Sequence, residues 1–209
     1  MDGFEIGDIS LSNATASDFK NIPIPAKTSN AGYGMKFTAL ITPIIDGEVT
    51  INVAADVAQD DASNKNIAAT QFSTIYDATN PTVNITGTKT TETNIPFTAT
   101  FTFSEDVTGF VVGDLTLGNA TASNFVSTSA SVYTALITPT TEGEVTIDVA
   151  ADLANDTATN GNTAATQFSI NYDVTSPSIS ITSVVSNPTN DVFTATFTFS
   201  EDVTGFVIG

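Results

Sequence analysis

The stretch Phe97-Thr98-Ala99-Thr100-Phe101-Thr102-Phe103 decides the fold of this chain. Apolar and polar residues alternate without a break, and in a β-strand side chains two apart share a face. The stretch therefore reads as a half-buried antiparallel strand, with Phe97, Ala99, Phe101 and Phe103 inward and Thr98, Thr100 and Thr102 toward solvent.

Outward from this strand the sequence repeats itself. PFTATFTFSEDVTGFVVG (Pro96–Gly113) returns as VFTATFTFSEDVTGFVIG (Val192–Gly209), 96 residues later. A second block, from Thr38 to Asp77, returns from Thr134 to Asp173 at the same offset of 96. Two independent blocks with one offset define a period, and a fixed period settles architecture before local detail does. GDISLSNATASDF (Gly7–Phe19) matches GDLTLGNATASNF (Gly113–Phe125) at an offset of 106, so the first copy carries ten extra residues within Lys20 to Lys36. The expected organisation is a partial repeat over 1–80 lacking its first strands, a complete repeat over 81–176, and the first strands of a third over 177–209. The cuts fall at equivalent places, Gly7, Gly113 and Gly209, which predicts a piece of a longer array.

Within the complete repeat the same alternation marks Val145, Ile147 and Val149, and again Phe168, Ile170 and Tyr172. Shorter strands are expected at Val83 to Ile85, Leu115 to Leu117 and Tyr133 to Ile137. About seven strands in one period, separated by turn-rich segments, fit an all-β, immunoglobulin-like antiparallel sandwich. The Ala-rich segment Val149 to Ala154 runs into Gly161 and an Asn/Thr stretch, and reads as loop.

Composition narrows function. The 23 acidic residues face 5 basic ones, all lysine, for a net charge of -18. Nucleic-acid binding is excluded for want of clustered cations, and attraction to anionic membranes fails on the same ground. Neither Cys nor His occurs, which removes disulfides, zinc sites, histidine bases and the Ser-His-Asp triad. No apolar run reaches the length of a membrane-spanning helix, so no membrane insertion is expected.

The series FTATFTFSEDVTGF, GDLTLGNATASNF, TPTTEGEVTIDVAADLANDTATNGNTAATQF and closing YDVTSP resembles the bacterial Ig-like domains repeated in large cell-surface proteins and adhesins. The resemblance covers essentially the whole chain. It implies tandem modules, extracellular at a bacterial cell surface or secreted, often stiffened by calcium; that no enzyme is expected rests on the residues themselves.

The sandwich topology points to where a cation would sit. The loop after the second strand, the loop before the last strand and the entering linker share one end of such a domain. They would bring together Asp77 from the linker, Glu105, Asp106 and Asp114 from the first loop, and Asp152, Asn155, Asp156, Asn160 and Asn162 from the second. Calcium takes six to eight oxygen ligands of this kind, and close carboxylates without cationic partners repel. A calcium ion at each junction is thus expected to stiffen the array. Against it stands an ordinary reading, since Asp, Asn, Gly and Thr are turn residues and the second loop lacks the glutamate that closes an EF-hand loop.

A carboxylate pair such as Glu105 with Asp156 is the sole catalytic constellation available, and it lacks an aromatic sugar platform, with no Trp and 4 Tyr in the chain. Partners are expected to be neighbouring repeats. The alternative is direct binding of a surface glycan or partner protein, favoured by the copy-specific 20–36 insertion. The outward row Thr98, Thr100 and Thr102 could serve a flat ligand, yet threonine is simply a good strand former. The missing strands of the first copy and the orphan strands at 177–209, with Phe193, Phe197 and Phe199, predict strand-complemented self-association.

Overall fold

A computed structural model describes residues 3–22 and 35–207. Of the 20–36 insertion, residues 23–34 lie outside the described residues. The chain forms two compact units, one of Met1–Val83, Phe103–Phe110 and Ala150–Ala165, the other of Asn84–Thr102, Val111–Val149 and Thr166–Gly209.

The predicted strand at 97–103 forms as β8 (Phe97–Phe103), all but its last residue within the second unit. Before it come β6 (Val83–Gly87) and the two-residue β7 (Glu92–Thr93). After it come β9 (Leu115–Gly118), β10 (Ala120–Ser127), β11 (Val132–Pro139), β12 (Gly143–Val149) and β13 (Phe168–Tyr172). They build two four-stranded sheets, β10-β11-β8-β6 and β7-β13-β12-β9. All pairs with a recorded register are antiparallel except β7–β13, where Asn171 and Tyr172 run parallel to Glu92 and Thr93.

The alternation read in β8 is the burial pattern observed. Phe97, Ala99, Phe101 and Phe103 are buried, as are Tyr133, Ala135 and Ile137 of β11 and Val145, Ile147 and Val149 of β12. The sheets meet through these faces, with the rings of Phe97 and Phe168 6.0 Å apart between centroids. This is an all-β sandwich, as its strand patterning predicts.

Strand β10 escapes a reading by alternation. Its ATASNFVS sequence is built of small and polar residues, and its register to β11 shifts between Ser123 and Val126. Asn124 there has φ 49°, a left-handed conformation that bulges admit. At the β9–β10 corner Asn119 (φ 56°) takes the same conformation. Its side chain holds the β11–β12 turn, the amide donating to the Thr141 carbonyl at 2.7 Å and the oxygen accepting from the Thr140 hydroxyl at 2.8 Å.

The first unit contains β1 (Ile9–Ser12), β2 (Ala14–Ile22), β3 (Lys36–Pro43), β4 (Gly47–Val53) and β5 (Phe72–Tyr76), arranged as β1-β4-β5 and β2-β3. Asn13 (φ 57°) repeats the role of Asn119, donating to the Ile45 carbonyl at 2.7 Å. Phe4, Phe19 and Phe37 pack together at centroid separations of 5.4 to 5.6 Å. In the second unit the last described strands, β14 (Ile179–Ser183) and β15 (Ala195–Phe199), form an antiparallel pair.

Candidate metal centre

The site grows from one buried asparagine. Asn162, 1 % exposed, accepts from the Leu153 and Ala154 amides at 2.9 and 2.8 Å and donates to the Ala150 and Thr163 carbonyls at 2.9 and 2.8 Å. Its one side chain thus satisfies four backbone groups of a loop that forms no regular ladder. Close by, Gly161 leaves no room for a Cβ, which would collide with Asp152. Gly161→Ala is therefore expected to cost about 1–3 kcal/mol in denaturant unfolding.

Asp156 closes the other turn of this loop. Its carboxylate accepts from the Asn160 backbone and side-chain amides, both at 2.8 Å. Burial pushes the Asp156 pKa up, but hydrogen bonds from Asn160, Ala158 and Thr159 outweigh it and hold the group below its ordinary value. The first repeat builds its loop alike: Asp60 accepts from Asn64, and Asn66 satisfies Val57, Ala58, Ala54 and Ile67. These bonds are loop construction, and they leave carboxylate lone pairs free.

The linker is tied to the same loop. Asn160 donates to the Asp77 carbonyl at 3.1 Å, Asn80 to the Gly161 carbonyl at 2.6 Å, and the Thr163 amide to the Pro81 carbonyl at 2.8 Å. From the other side Asp46 accepts from the Ala78 amide at 2.8 Å and from the Thr79 hydroxyl. The repeat offers a counterpart one period on, where Glu142 accepts from the Thr175 hydroxyl at 3.0 Å. Asp46 and Asn80 escaped the sequence reading. The signal for Asp46 was an acidic residue before the glycine of both EV-strand turns, Asp46-Gly47 and Glu142-Gly143.

Asp77, Glu105 and Asp156 come together, with one carboxylate oxygen from each lying within 4.8 Å of the others. Glu105 responds as such a neighbourhood requires. Desolvation, then the charges of Asp77, Asp156 and Asp46, push its pKa above the ordinary glutamate value.

The other predicted ligands do different things. Asn160 borders the cluster through its bonds to Asp77 and Asp156. Asn162 has both side-chain polar atoms committed to the loop backbone. Asn155 bridges to Thr108 and Gly161 through its backbone. Asp114 accepts from the Val111 amide at 2.7 Å, closing a short turn, while Asp106 and Asp152 are exposed. The three converging groups are hard oxygen donors from three chain segments, a set that suits calcium or magnesium and no soft metal.

Residues 77–172 match a family model described as a bacterial Ig-like domain. No curated protein and no solved structure matches the chain.

Proposed function

We propose that the chain is a spacer or stalk segment of a bacterial surface adhesin, stiffened by calcium, a reading supported by the match of residues 77–172 to the model of a bacterial Ig-like domain. The role is structural and not catalytic, and it places the chain outside the cell. The observation that carries the calcium part is the convergence of Asp77, Glu105 and Asp156. These three residues would hold the ion, whose charge would offset their repulsion and tie the 77–81 linker to two loops.

Thermal unfolding with calcium and with chelator tests this. A ligand at a hundredfold its Kd adds about 2.7 kcal/mol, and the melting temperature is expected to rise by about 10 °C. An unchanged melt together with no calcium heat in titration calorimetry would sink the calcium part.

Glu105→Gln gives a sharper test, because its sign reverses. A carboxyl with a raised folded pKa destabilises the fold once ionised, fully above that pKa and not at all well below it. In chelator at neutral pH, Glu105→Gln is expected to raise stability and to flatten the pH dependence just above the ordinary glutamate range. In saturating calcium the same variant should be less stable than the parent. Asp156 titrates the opposite way: its lowered pKa contributes stability at neutral pH that is lost as pH falls through the folded value.

One observation favours a second reading, in which the repeats bind a glycan or partner protein directly. The 20–36 insertion belongs to one copy alone, and a spacer has no need of it. Deleting residues 23–34 and measuring adhesion of the parent protein separates the two, since loss of adhesion with an unchanged melt would favour binding.

A further inference from the structure

Asn160-Gly161 is the single Asn-Gly pair of the sequence, and it lies where the linker meets the loop. The Asn160 side-chain amide donates to the Asp77 carbonyl at 3.1 Å and to the Asp156 carboxylate at 2.8 Å. The Gly161 carbonyl accepts from the Asn80 side chain. The Gly161 amide, by contrast, donates to no group among the described residues. The bridge between Asn155 and Gly161 is closed by their neighbours, the Asp156 amide donating to the Asn160 carbonyl and the Asn162 amide to the Ala154 carbonyl. An unengaged amide with no Cβ beside it is free to approach the preceding side chain. We propose that Asn160 is a modification site, at which the Gly161 nitrogen attacks the Asn160 side chain and water completes its conversion to aspartate and isoaspartate.

In this step the Gly161 nitrogen gives its proton to hydroxide and bonds to Asn160 Cγ. The Cγ–Nδ2 bond breaks, and the side-chain nitrogen takes up a proton and leaves as ammonia. Water then opens the ring at either of its carbonyls. Because two hydrogen bonds hold the Asn160 amide, cyclisation waits until the bond to the Asp77 carbonyl opens, and the loss of ammonia makes it irreversible. A carboxylate at position 160 has no hydrogen to offer that carbonyl, and it adds negative charge beside Asp77, Glu105 and Asp156. Isoaspartate also routes the backbone through Cγ, lengthening it within the Asn155–Gly161 bridge. Either product loosens the linker.

The first repeat holds the comparison. Asn64 donates to Asp60 as Asn160 does to Asp156, through its backbone amide at 2.8 Å and its side-chain amide at 3.0 Å. Lys65 follows it in place of glycine, and a side chain there crowds the attacking nitrogen. Asn64 is the more exposed of the two asparagines, so exposure alone would rank them the other way.

The full 209-residue chain, kept folded in mildly alkaline buffer with chelator, is expected to release ammonia and to accumulate aspartate and isoaspartate at position 160. Mass spectrometry of its peptides reads this, and Asn64 should convert several times more slowly. Lys65→Gly should bring Asn64 to at least the rate of Asn160. Asn160→Asp, which makes one product directly, is expected to melt about 5–10 °C lower in chelator, from two lost hydrogen bonds. Four outcomes would each overturn the proposal: no conversion at Asn160, equal conversion at Asn64 in the parent, Lys65→Gly without effect on Asn64, or an Asn160→Asp melt matching the parent's.

Discussion

Phe101→Ala is expected to lower the unfolding free energy of the complete repeat by about 3–5 kcal/mol. Phe101 is fully buried at the middle of β8, opposite Tyr133 in the central pair of its sheet. Truncation removes a ring and leaves a void between two sheets whose strands are fixed by their own ladders and cannot collapse onto it. A domain of this size has about 5–15 kcal/mol to lose. Urea unfolding followed by far-ultraviolet circular dichroism measures the change. The control lies in the same chain: Phe197→Ala, in an identical FTATFTFSEDVTGF setting but half exposed, should cost the same transition under about 1 kcal/mol in dilute protein. Equal losses would mean that local sequence, and not the facing sheet, determines the energy.

Asn162→Ala is expected to cost about 3–4 kcal/mol, nearly as much, without touching the apolar core. The change orphans two amides and two carbonyls at once, and each buried group left unpaired costs about 1–3 kcal/mol before water reaches it. Asn162→Asp should fare little better, since a carboxylate keeps the two acceptor bonds but faces two carbonyls with no hydrogen to offer. Loss of this loop should also remove any calcium effect on the melt, because Asp156 is positioned by the same turn. Asn66→Ala is the parallel change in the first repeat, at a half-buried site, and a smaller loss is expected there.

Much of this was legible in the residues. Period-2 alternation placed β8, β12 and β13, since burying one face of a sheet imposes that pattern on the sequence. It missed β10, where the side chains are small and the bulge at Asn124 breaks the count. For the site, the chain's acidity and its loops suggested nine oxygen ligands, and three carboxylates converge. Asn162 shows why the rest could not be read. Turn residues and metal ligands are drawn from the same set of side chains, and only the hydrogen-bond partners tell which task an asparagine performs.

The sequence by itself determined the repeat, the strand faces and the oxygen-only chemistry, because these depend on residue type and spacing along the chain. The tertiary structure decided which acidic groups share a neighbourhood, Asp77 with Glu105 and Asp156, and which rings meet between the sheets, Phe97 with Phe168. Both are matters of distance between segments far apart in the chain, and no local pattern records them.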